Sequence, residues 1–103
     1  MVAFDRRFME RGGDVIATLR DAGRVEPDLA AAHRQGRSRA MDLRRRVIGA
    51  WPAGTVRDVE EACATYAGLC NIDTYRSLIE EQGWSPDRVE RWWRESLVRL
   101  LLP

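Results

Sequence analysis

Apolar residues recur along this chain at three- and four-residue steps, and no alternating strand pattern competes with them, so the pattern predicts an all-α fold. Four helical segments follow from it. The first spans about residues 3–22, with Phe4, Phe8, Val15, Ile16 and Leu19 on one face. Gly12 and Gly13 interrupt that face at roughly 1 kcal/mol each against alanine, which points to a kink or a close helix approach there. The second segment runs from about Pro27 to Ala50, its start marked by Pro27 and Asp28. Leu29, His33, Gly36, Ala40, Leu43, Val47 and Trp51 form its apolar stripe, and Arg34, Arg37, Arg39, Asp42, Arg45 and Arg46 cover the other side. Trp51-Pro52-Ala53-Gly54 closes it.

The third segment is expected to begin at Thr55, a good cap, with Asp58 three residues on as an imperfect capping box. From Ala62 to Cys70 only Thr65 is clearly polar, which predicts a helix buried on all sides; Ala62, Ala64, Ala67 and Gly68 allow close backbone approach. Asn71, Ile72 and Asp73 mark a break or bend, after which the helix resumes at Thr74 and ends near Gln82.

The next few residues stop one helix and start another. Gly83 suits the left-handed position past a helix end. Ser85 can cap the next helix, Pro86 takes the first helical position where no N–H is needed, and Asp87 lies at the positive end of the helix dipole. Trp84 and Val89 occupy the two positions of a hydrophobic staple. In the fourth segment Val89, Trp92, Trp93, Ser96, Leu97, Leu100 and Leu101 make a continuous stripe, widened by Val98 and Leu102 and opposed by Arg88, Arg91, Arg94, Glu95 and Arg99. Burying each large side chain is worth roughly 1.5–3 kcal/mol. A chain of this size is expected to cover them with a partner.

At 103 residues the chain is one domain, 1–103, burying about 65% of its extended surface. Hydrophobic residues at 45% and charged residues at 32% are ordinary for a soluble globule, and the net charge of +1 gives no global pull toward nucleic acid or a membrane. All 17 basic residues are arginine. No apolar run approaches the ~20 residues of a membrane helix, and the N-terminus has no signal-peptide character, so a cytoplasmic location is the default. Cys63 and Cys70, about 10 Å apart on one helix at ~1.5 Å per residue, are too distant for a disulfide and read as free buried thiols.

Candidate chemistry is sparse. His33 is the only histidine, which leaves no His-based metal site and no serine triad with its own base; it reads as a core histidine before a ligand contact. The cysteine spacing fits no zinc motif. Arg44-Arg45-Arg46 is spread around more than half a helix circumference and reads as a solvated face paired with Asp42 or glutamates. Glu60-Glu61 and Glu80-Glu81 read as solvated charge, and Tyr66, Met41 and Leu19 as core. No phosphate loop, nucleophile elbow or helix-turn-helix is present, so no enzyme, metal or cofactor is expected.

The segments Val59-Glu60-Glu61-Ala62, Tyr75-Arg76-Ser77-Leu78-Ile79, Glu81-Gln82-Gly83-Trp84-Ser85-Pro86-Asp87-Arg88, Trp92 and Leu100-Leu101-Leu102 resemble the C-terminal effector-binding and dimerisation domain of TetR-family transcriptional regulators, a subset of which has a Gly-Trp-Ser-Pro corner before its last helix. Leu19-Arg20-Asp21-Ala22 through Pro27-Asp28-Leu29-Ala30 is similar to the preceding part of that domain. The chain departs from the subset at Ala64, Ala67, Val89 and Trp93. The resemblance implies an all-α bundle of about four to five helices that forms a homodimer through its last two helices, with a small-molecule effector bound between the earlier ones. The expected interface residues are Trp92, Trp93, Ser96, Leu97, Leu100 and Leu101, behind the corner Gly83, Trp84, Ser85 and Pro86; the expected pocket residues are Leu19, His33, Met41, Cys63, Tyr66 and Cys70. Family members begin with a helix-turn-helix head that reads the major groove. This chain is expected to lack it, whether as a truncation, a mispredicted start or a true orphan domain, and so to bind no operator alone. A stand-alone helical interaction module is the alternative.

Overall fold

In the computed structural model, which describes residues 1–103, every element is helical: α1 (Val2–Ala22), α2 (Pro27–Gly49), α3 (Val59–Leu69), α4 (Ile72–Arg76) running into a π-helical turn (Ser77–Glu81), and α5 (Pro86–Leu101). The all-α bundle expected from the periodicity is what forms. α1 runs unbroken through Gly12-Gly13. The two glycines do different things. A Cβ on Gly13 would stand 2.8 Å from Ile72 Cδ1, so this residue lets α4 approach α1, whereas Gly12 faces open space.

Short polar side chains set the helix boundaries. Asp58, not Thr55, caps α3 by accepting from the Glu61 N–H at 2.9 Å. Thr55 instead closes the preceding turn, its hydroxyl donating to the Pro52 carbonyl at 2.6 Å, and Gly54 supplies the positive φ of 86°. Asn71 then ends α3 and starts α4 at once: its amide nitrogen donates to the Ala67 and Gly68 carbonyls while its oxygen accepts from the Thr74 N–H. The break therefore falls at Cys70-Asn71, and the helix resumes at Ile72 rather than Thr74.

The main core gathers Met9 of α1, Tyr66 and Cys70 of α3, Ile72 and Tyr75 of α4, and Val89, Trp93 and Leu97 of α5. A smaller cluster of Ile48, Ala62 and Cys63 joins α2 to α3, with Met41, Trp51, Val56 and Val59 against it. Leu101 touches both clusters. α3 is not buried all round: Ala64 and Gly68 face solvent, because only the face of Cys63, Tyr66 and Cys70 meets other helices. On α2 the buried face is centred on Met41 and Ile48, one residue round from the expected stripe, and leaves Leu29 and Leu43 exposed.

Polar ties fix α1 on this core. Arg6, largely covered, donates to Glu10 at 2.7 Å, to Asp87 at 3.2 Å and to Glu90 at 3.0 Å, which joins α1 to the start of α5. Glu90 in turn takes Arg94 at 2.7 Å. Arg20 pairs with Asp73 of α4.

Candidate association surface

The corner between the π-helical turn and α5 is built as its residues require. Gln82 N–H reaches back to the Ser77 carbonyl at 3.2 Å and Trp84 N–H to the Leu78 carbonyl at 3.0 Å, which satisfies the helix end. Gly83 supplies φ of +71°. Ser85 Oγ accepts from the Arg88 N–H at 3.2 Å, with Pro86 opening α5. Trp84 meets Trp92 edge-on at 5.8 Å and carries the Arg88 guanidinium 4.1 Å above its ring. Val89, the expected staple partner, is fully buried in the core.

The corner aims α5 mostly inward. Trp93 is 0% exposed and Leu97 6%, so these two expected interface residues instead fill the chain's own core. Val89, Trp93 and Leu97 lie four apart on the line of α5 that meets Met9, Tyr66 and Tyr75, and this geometry turns them inward. Trp92, Ser96 and Leu101 sit half-buried along the edge of that line, and Leu100 is exposed beyond the end of the core.

The six expected pocket residues do not surround one space. Cys63 lies in the smaller cluster with Met41 at its margin, Tyr66 and Cys70 lie in the main core, and Leu19 and His33 are half-buried outside both. Tyr66, 1% exposed, donates its hydroxyl to Asp5 Oδ2 at 2.5 Å beneath the Arg44 guanidinium, 5.0 Å from the ring centroid. Burial, and then the Asp5 carboxylate, push the phenol far above its ordinary value. Burial also raises the Cys70 thiol to about 12, with Asp5 adding to it, and raises Cys63. These thiols are protonated and inaccessible, which removes nucleophilic or redox use at neutral pH. The Tyr66–Asp5 tie was invisible in the sequence, since nothing local marks a bond between residues 61 apart.

A shallow cleft of about 290 Å³ lies between α1 and the α4–π segment, with Met9, Gly13, Tyr75, Ile79 and Pro86 as its apolar parts and Glu10, Asp14 and Glu80 as its acidic ones. Arg76 ties Glu80 from its rim. At the surface Arg45 pairs with Asp42 and Glu60, and the Ser77 hydroxyl donates to Glu81. No three His, Cys, Asp or Glu side chains converge to hold a metal ion. No helix is long and apolar enough to cross a membrane.

The larger fact is unpartnered surface. The chain exposes 6946 Å², where a compact monomer of its 11.8 kDa mass exposes about 5,900 Å². The excess of roughly 1,000 Å² compares with the ~800 Å² that one partner contributes to a standard interface. The shape agrees: the radius of gyration is 14.5 Å against about 13 Å for 100 compact residues, and the shortest dimension is 17 Å, two helix layers.

No known family model, curated protein or solved structure matches the chain.

Proposed function

We propose that this chain is the regulatory and dimerisation domain of a TetR-like transcriptional regulator, and that it works as a homodimer through the segment from Ile72 to Leu101. The observation that carries the reading is the corner from Gly83 to Arg88, which sets α5 so that Trp92, Ser96, Leu100 and Leu101 border its buried line with apolar surface to spare. The excess exposed area supports it. In this reading effector binding falls to the cleft between α1 and the α4–π segment, because Cys63, Tyr66 and Cys70 are sealed in the core. An effector there acts by favouring one arrangement of the two chains over another.

Light scattering tests the assembly. A monodisperse 11.8 kDa species at micromolar concentration overturns it, and Leu100→Glu is expected to lower the assembled mass. The sealed core residues favour one alternative, a stand-alone helical interaction module with no ligand. A thermal-shift screen with apolar and cationic small molecules separates the two: stabilisation that Ile79→Glu abolishes supports the effector reading, and an absence of any stabilising compound supports the module.

A further inference from the structure

α1 is apolar on two opposite faces. One carries Met9, Gly13, Ile16 and Ala17 into the fold. The other carries Phe4, Phe8 and Val15, which are 59%, 53% and 71% exposed, with the two phenylalanine rings stacked at 6.1 Å. With Arg11 these follow the four-three-four spacing of a coiled-coil seam, and no part of the chain covers them. Gly12 beside them has nothing within 4 Å of where a Cβ would stand, so a knob from another helix fits there.

We infer that the outer face of α1 is a second self-association surface, on which α1 of a second copy packs antiparallel and crosses at Gly12. The orientation follows from charge. A parallel pair sets Arg11 against Arg11 in the seam. An antiparallel pair sets each Arg11 against the open Gly12 position and each Phe8 against Val15, and it brings Arg7 and Arg11 to the partner's Asp14. Arg7, Arg11 and Asp14 form no ion pair within their own chain. The residue relations are mutual, as a two-fold interface demands. Size sets its strength. Taking about 200 Å² per phenylalanine, Phe4 and Phe8 expose roughly 220 Å² together. That is well short of the ~800 Å² per partner of a stable interface, so the association is concentration-dependent. Together with the α5 dimer, a second isologous face closes a tetramer of two dimers when the two two-fold axes meet at right angles.

Sedimentation velocity over a concentration series tests it, with the 103-residue chain throughout. The wild type is expected to climb from two chains to four, and Phe8→Glu combined with Val15→Glu to stay at two; both positions are exposed, so the fold tolerates the change. A climb from one chain to two that the α1 variant abolishes and Leu100→Glu does not supports the α1 face and sinks the α5 dimer. A wild type fixed at two chains, or a climb unchanged in the α1 variant, overturns the α1 face alone. Air oxidation of Gly12→Cys reads the geometry. A disulfide-linked pair is expected from Gly12→Cys and none from Phe4→Cys, since antiparallel Phe4 positions lie about 24 Å apart at ~1.5 Å per residue. A Phe4→Cys cross-link overturns the antiparallel arrangement. The native thiols are buried and do not compete.

Discussion

Replacing Tyr66 by phenylalanine removes one oxygen from the core and leaves the ring in place. That oxygen donates to Asp5 Oδ2 at 2.5 Å, across 61 residues, in the tie that pins the first turn of α1 to α3. A hydrogen bond to a charged acceptor is worth about 1.5–3 kcal/mol, a large part of the 5–15 kcal/mol typical of a domain. Tyr66 is 1% exposed, so water does not restore the missing donor where the ring sits. The expected loss for Tyr66→Phe is therefore about 2 kcal/mol. With a urea m-value near 1 kcal/mol/M this lowers the unfolding midpoint by about 2 M. Asp5→Ala alone mixes two effects, because Asp5 also favours the positive end of the α1 dipole. The double-mutant cycle of Tyr66→Phe and Asp5→Ala isolates the pair. Its coupling energy is expected at about 1.5–3 kcal/mol. A coupling below about 0.5 kcal/mol, the usual size for independent sites, refutes the assignment and makes Tyr66 simply a buried ring.

Three further outcomes follow from the packing. Cys70 ionises near 8.5 when unfolded and is pushed to about 12 in the fold; stability is therefore full below about pH 8.5 and falls by about 1.4 kcal/mol per pH unit up to about pH 12, with Tyr66 acting in the same direction and Cys70→Ala flattening the decline in urea melts. Gly13→Ala is expected to stabilise less than Gly36→Ala in thermal melts: both gain the ~1 kcal/mol of helix propensity, but the Gly13 methyl must displace Ile72 Cδ1, the far end of a flexible side chain met at 2.8 Å, whereas the Gly36 methyl meets open space. Trp93→Ala is expected to cost about 3–5 kcal/mol by calorimetry, while Leu100→Ala changes the unfolding free energy of the dissociated chain by less than about 0.5 kcal/mol and lowers the assembled mass.

Much of the fold is legible from local chemistry. Helix ends are decided by a few neighbouring atoms, so Pro27, the Gly54 turn and the run from Gly83 to Pro86 announce themselves in the sequence. Where two residues could do the same job the local pattern misleads: Thr55 is the expected cap of α3, but it closes the turn on the Pro52 carbonyl and Asp58 caps the helix. The candidate site was less legible. Trp93 and Trp92 are equally apolar, and only the approach of α1 and α4 to α5 decides that one is core and the other edge.

By itself the sequence determined the class, the order of the main helical segments and the corner before α5, because these depend on spacing, caps and backbone freedom within a few residues. Which face of each helix is the inside was decided only in three dimensions. On α1 the stripe of Phe4, Phe8 and Val15 is the stronger apolar pattern, yet it faces out, while Met9, Gly13, Ile16 and Ala17 face in. Periodicity finds an apolar face without saying what lies opposite. Gly13 on the inside gives the Ile72 tip room to approach, and Arg6 holds that choice by reaching Asp87 and Glu90 on α5.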